Sequence, residues 1–253
     1  MTALVDAVRS RAPGVDVRAA FLDHCAPSLP QVLASLAPEV RLARYECVAL
    51  PLLLTAAYHA VTDVPAQLAA AVAAHPGLDV VSADTLGPHP LLLAALERRL
   101  REAGVAVHSA EERAATSVVL AAAGSSDPTA NATTAALASW WARQRGWRDV
   151  VPAYASAAGP RPDEAVRGLR TGGAERVAVA TYLLAPGHFA DKIRDSALGA
   201  GADVVSATLG AAPEVADVVL DRYRSAVAEL ASQSIVARAQ LSRPQGCGCP
   251  VRN

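Results

Sequence analysis

Two stretches of this chain follow one pattern. Phe21-Leu22-Asp23 followed by Pro27 is answered by Tyr154-Ala155-Ser156 followed by Pro160. Val48-Ala49-Leu50-Pro51-Leu52-Leu53-Leu54, leading to Tyr58-His59, is answered by Val177-Ala178-Val179-Ala180-Thr181-Tyr182-Leu183, leading to Gly187-His188. Ala83-Asp84-Thr85-Leu86-Gly87 with Pro90 is answered by Ser206-Ala207-Thr208-Leu209-Gly210 with Pro213. A repeat on this scale means that one structural unit occurs twice. With 253 residues to divide, the reading is two similar domains, 1–113 and 114–234, meeting in the polar stretch 111–115, then a flexible tail, 235–253.

The apolar runs within the repeat set the fold class. Those at 15–22, 48–55, 78–83, 117–123, 150–156, 176–183 and 202–206 are expected as strands. Most are too uniformly apolar to have a wet face, so they belong in parallel sheets covered on both sides. Helical spacing fills the gaps at 29–36, 63–74, 90–103, 132–145, 163–171, 190–198 and 213–230. The alternation predicts an α/β protein with two tandem, doubly wound parallel sheets. The duplication is unequal at its start: Met1 falls opposite Thr134, which leaves 117–133 without a counterpart. In doubly wound sheets the opening strand is central. The first half is therefore expected to lack that strand and to expose two strand edges, with a natural start upstream of Met1.

Composition removes several classes of function. With 23 Lys+Arg against 24 Asp+Glu, the net charge is -1, and no basic field is present to hold nucleic acid. A hydrophobic fraction of 52% supplies a sizeable core. The most apolar run, 48–61, contains Pro51 and His59 and is shorter than the ~20 residues of a membrane helix. Asp6, Arg9 and Arg11 interrupt the start, which lacks the apolar stretch of a signal peptide. Cys25, Cys47, Cys247 and Cys249 are too unevenly placed for a disulfide framework. These features predict a cytoplasmic protein with no nucleic-acid or membrane partner.

His59 and His188 are the candidates to carry chemistry, the alternative being that a histidine after a strand merely caps or packs. Each follows an apolar strand and precedes a helix, which is the carboxyl edge of a parallel sheet, where α/β proteins bind ligands. The placement suits a metal ligand or a proton acceptor. His75 and His89, beside prolines, suit turns; His108 lies in a polar segment; Asp23 and His24 form a weaker pair. Gly124-Ser125-Ser126 could cradle an anion, but a tight turn with Asp127 capping a helix fits better. Asp63 and Asp191 read as helix caps. Cys25 and Cys47 read as buried small hydrophobes and Cys247-Gly248-Cys249 as part of the exposed tail.

Pro51-Leu52-Leu53-Leu54 with Tyr58-His59 and Asp63-Val64-Pro65, then Leu86-Gly87-Pro88-His89-Pro90, resemble the CbiX/SirB-type sirohydrochlorin chelatases, which are class II tetrapyrrole chelatases. In the second half the carriers are Ala122-Ala123-Gly124-Ser125-Ser126-Asp127-Pro128 and Leu184-Ala185-Pro186-Gly187-His188 with Asp191-Lys192-Ile193. The resemblance covers nearly the whole chain. It implies a monomer of two chelatase-like domains facing one another, with sirohydrochlorin bound between them. It also implies a lyase-type, ATP-independent insertion of a divalent metal, Fe2+ first and Co2+ next, with the metal as substrate and no organic cofactor. His59 is the expected catalytic residue, His59 and His188 the expected metal ligands, and Tyr58, Arg44, Lys192 and Arg194 the expected substrate-binding residues. The family's opening strand ends in a His-Gly-Ser-Arg-Asp-Pro type sequence, whereas this chain has Ala123 for the histidine and Ser126 for the arginine. The second half is thus expected to be catalytically degenerate. The alternative for the whole chain is a degenerate tetrapyrrole- or metal-binding protein.

Overall fold

The computed structural model describes residues 1–22, 25–43, 47–55, 64–75, 77–78 and 80–241, less the side chains of 40–43 and 233–241. The first half runs α1 (Thr2–Arg11), α2 (Leu29–Ala43), β1 (Cys47–Ala49), α3 (Val64–Ala74), β2 (Val80–Ser82) and α4 (Pro90–Glu102). After α5 (Ala110–Ala115), the second half runs β3 (Thr116–Ala122), α6 (Pro128–Arg145), β4 (Asp149–Tyr154), α7 (Pro162–Thr171), β5 (Arg176–Tyr182), α8 (His188–Gly199), β6 (Val204–Val205) and α9 (Pro213–Leu241).

The second half is the expected parallel sheet, in the order β4-β3-β5-β6. Its opening strand, β3, is buried along its whole length because it has neighbours on both edges and helices on both faces. The Asp127 carboxylate accepts the Thr129 amide, and Pro128 at the first helical position asks for no hydrogen bond, so α6 starts there. Gly146, at φ 68°, ends it.

The first half keeps only part of this sheet. β1 and β2 pair in parallel. The run 15–22, expected as a strand, is not one and makes only an isolated bridge from Phe21 to Ser28. Its counterpart β4 is hydrogen-bonded to β3 alone, and no described residues form a first-half equivalent of β3. A strand needs a ladder, and this run has no partner to supply one. The turn after it survives: Phe21 N–H donates to Pro27 O at 3.0 Å, as Tyr154 N–H donates to Pro160 O at 2.9 Å.

Three further expectations change. Ladder register equates Ala49 with Val179, whose carbonyls accept Ala83 N–H and Ser206 N–H, each at 2.8 Å. The repeat as read from the sequence sets Ala49 against Ala178, one residue off. Uniformly apolar runs carry no alternation to fix register. The polar stretch 111–115 is helical, capped by Ser109 on Glu112 N–H at 3.1 Å. And α9 continues to Leu241, into the stretch expected as tail, because its sequence has neither Gly nor Pro there; 242–253 lie outside the described residues.

The last helix of each half packs on the other half: α4 lies on β5, while α9 lies on β1, β2, α1 and α4. One apolar core therefore runs through both, from Leu4 and Val8 of α1 through Leu92, Leu96 and Leu100 of α4 to Val118, Ala180 and Val215. Polar ties cross the same seam. Glu97 accepts Trp141 Nε1 at 3.0 Å and both Arg145 Nε and Nη2 at 2.6 Å; Arg98 pairs with Glu214 at 2.6 Å. Arg99 Nη2 donates to Leu209 O at 2.7 Å, while Arg222 Nη2 donates to Leu86 O at 3.3 Å and Pro88 O at 3.2 Å. The arginines occupy matching places in the repeat, each holding the other half's Leu-Gly turn.

Candidate active site

A cleft of about 470 Å³ opens at the carboxyl ends of the parallel strands. Residues 122–126 at and beyond the end of β3 and 182–184 at and beyond the end of β5 supply one side, with Ala157 and the α6 residues Ala130, Asn131 and Thr134. Residues 52–55, leading away from β1, supply the wall from the first half. The position agrees with the rule for open α/β sheets, in which strands deliver side chains to a rim that helices leave clear.

The turn after β3 is rigid. At Gly124, φ is +85°, and an added Cβ would sit 2.1 Å from Ser156 O, so no side chain fits. Ser125 N–H donates to Asn131 Oδ1 at 3.0 Å, Asn131 Nδ2 returns a bond to Ser125 O at 2.7 Å, and Asp127 N–H donates to Ser125 Oγ at 3.0 Å. With Asp127 capping α6, these bonds make the turn the capping structure expected. Tyr182, 2% exposed, closes the cleft floor and donates its hydroxyl to Leu54 O at 3.3 Å. Burial raises its pKa, which keeps the phenol protonated as a donor.

His188 is the first residue of α8, after the N-cap Gly187, and its exposed ring is 6.0 Å from that of Phe189, itself 42% exposed. It does not line the cleft. Lys192 and Arg194 follow on the same helix, both exposed, and Arg194 pairs with Asp191 at 3.0 Å and Asp195 at 3.2 Å. Tyr58, His59 and Arg44 lie outside the described residues, as do Asp23, His24, Asp63, Cys247 and Cys249. Thr55, on the cleft wall, is the last described residue before the segment with Tyr58 and His59. Ala123 and Ser126, which stand where the family motif has histidine and arginine, both line the cleft. Among the described residues, no group of three His, Cys, Asp or Glu side chains is placed to hold a metal ion.

The other sequence candidates find structural places. His89 caps α4, its Nδ1 accepting Leu91 N–H at 3.2 Å, and His108 Nε2 contacts Arg101 Nη1 at 3.1 Å. Burial lowers the His89 pKa, with the Arg222 charge adding to it and Asp221 opposing. Cys47 is half-buried in β1, and burial pushes its thiol pKa up. Cys25, expected to be buried, is exposed, since the run before it joins no sheet that could cover it. Sequence reasoning missed Tyr182, Asn131 and the paired arginines Arg99 and Arg222. Only the arginines left a signal, each lying at the same distance beyond its Leu-Gly turn. No helix among the described residues is long and apolar enough to cross a membrane.

The CbiX family model matches the chain twice, over residues 1–103 and 117–226. The sirohydrochlorin ferrochelatase of Bacillus subtilis (strain 168) is 25% identical over 187 residues, which are 72% of this chain and 69% of that protein. Among solved structures, SirB from Bacillus subtilis with Fe3+ is similar at a TM-score of 0.76, with 21% identity over 90% of each chain. CbiX, described as the terminal enzyme for biosynthesis of siroheme in denitrifying bacteria, is similar at a TM-score of 0.64, with 20% identity over 88% of this chain and 89% of that one.

Proposed function

Since this chain belongs to the CbiX family, whose model matches both of its halves, we propose that it is a sirohydrochlorin chelatase, inserting Fe2+ or, next in preference, Co2+. The observation that carries the reading is the cleft at the strand ends, walled by both halves, from whose first-half rim the chain runs on toward His59. Insertion exchanges the ring's pyrrole protons for a divalent ion that has shed part of its hydration. A neutral imidazole serves either side of that exchange, as a ligand to the incoming ion or as the base that takes a proton. His59 is assigned that role, and His188, exposed at the start of α8 outside the cleft lining, is assigned an auxiliary contact with the arriving metal. No nucleotide enters this balance, so the reaction is an ATP-independent, lyase-type step. The ring is a polycarboxylate, so the exposed side chains of Lys192 and Arg194 on α8, with Arg44 and Tyr58, are assigned to its acid groups by charge-assisted hydrogen bonds. The protein is read as a cytoplasmic monomer of two repeat units divided near residue 113.

The methyl group of Ala123 on the cleft wall favours one other reading, a protein that binds the tetrapyrrole or metal without turnover. Absorbance of sirohydrochlorin with Fe2+ or Co2+ separates the two. His59→Ala is expected to abolish insertion while His188→Ala keeps most of it. The reverse result would move the site to the second half, and binding without any insertion by the unaltered chain would establish the second reading.

A further inference from the structure

The first-half wall of the cleft, residues 52–55, is held from the second half. Two routes reach it. The Tyr182 hydroxyl donates directly to Leu54 O at 3.3 Å. Arg222 Nη2 binds Leu86 O and Pro88 O, fixing the turn whose Gly87 N–H donates to Leu53 O at 3.3 Å. Gly87 makes both routes possible by being small. A Cβ there would stand 2.1 Å from Leu54 O and 2.7 Å from the Tyr182 oxygen, so any side chain would push the turn, the wall and the phenol apart. On the opposite side the repeat builds a partial mirror image, with Arg99 on Leu209 O and Gly210 N–H on Leu184 O at 2.8 Å. No tyrosine joins that side, because Leu52 takes the place of Tyr182 in the ladder register.

We propose that Tyr182 and Arg222 are positioning residues that set the separation of the cleft walls, and so the fit of the macrocycle, by pinning residues 53–54 from the opposite half. The hydroxyl of Tyr182 is engaged and buried, so it acts through Leu54 and not on the ring chemistry. The proposal rests on the chelatase reading only for its consequence in substrate binding; the pinning itself is independent of it.

The test uses the full chain and the variants Tyr182→Phe, Arg222→Gln, Arg222→Lys and Arg99→Gln. Amide hydrogen exchange at Gly87 is expected to quicken about five-fold in Tyr182→Phe and Arg222→Gln, as loss of one hydrogen bond predicts, with Gly210 unchanged. Arg222→Lys, whose longer stem still carries a donor toward the turn where the shorter Gln does not reach, is expected to restore most of the protection, and Arg99→Gln to quicken Gly210 alone. Metal-free sirohydrochlorin, titrated by absorbance, is expected to bind about five-fold more weakly to the first two variants. Equal quickening at Gly87 and Gly210 would reduce the effect to general destabilisation and overturn the proposal, as would unchanged exchange at Gly87. Quickened exchange with unchanged ring affinity would overturn the role in fit. If the unaltered chain binds no sirohydrochlorin, the chelatase reading fails, and with it the role in fit, while exchange still decides the pinning.

Discussion

Glu97 is the natural place to probe how the halves are joined. It is 9% exposed on α4 of the first half, and its carboxylate accepts the indole N–H of Trp141, fully buried on α6, together with two donors from Arg145. Glu97→Gln keeps an acceptor for the indole and gives up the charge. The side chain of Arg145 is 47% exposed, so water takes over its solvation, and the expected cost is about 1 kcal/mol. Glu97→Leu also leaves the buried indole N–H without a partner, adding about 1–3 kcal/mol. In a chain of this size each kcal/mol lowers Tm by about 2–4 °C. Chemical and thermal denaturation of the two variants should therefore rank Leu below Gln by several degrees. High salt should narrow the gap between Gln and the unaltered protein, and leave that between Leu and Gln alone. If Leu and Gln prove equally stable, the indole bond contributes nothing to joining the halves, and the reasoning fails.

Two further outcomes are expected. Gly124→Ala places a methyl 2.1 Å from Ser156 O at a φ of +85°, and should cost at least about 2 kcal/mol by denaturation, with loss of cleft activity. His89 has a folded-state pKa below its unfolded value, since burial and Arg222 disfavour its charge. The unfolded chain then binds more protons than the folded one in the window below the usual histidine pKa, so stability is full above that value and falls as the pH drops through it. A Tm series against pH should show this fall, and His89→Asn, which keeps a cap for α4, should flatten it.

The second half was legible because its signals agree. The run 117–123 is apolar throughout, and a strand buried on both faces and bonded on both edges is what β3 is. The same logic failed at 15–22. Its composition resembles that of β4, but strand formation there depends on a neighbour that no local pattern reveals. The repeat located His59 and His188 at strand exits, yet the exposed His188 stands off the cleft, since repeat position fixes a loop and not where its side chain points. Tyr182 was invisible for a different reason. Within an apolar run a tyrosine reads as core, and only the approach of Leu54 from the other half gives its hydroxyl a purpose.

The crossing of α4 and α9 bears on how the protein is made. β1 and β2 emerge early in synthesis, but part of their apolar cover, α9, is made after every other described helix. Until then the small first sheet must wait partly uncovered, while the helix that the first half lends to the four-stranded sheet, α4, is already synthesised when β5 appears. The cover of the earlier sheet is therefore completed only after the later half has been made. Contacts of such long sequence separation form slowly, and until they form the apolar face of the first sheet stays open to water.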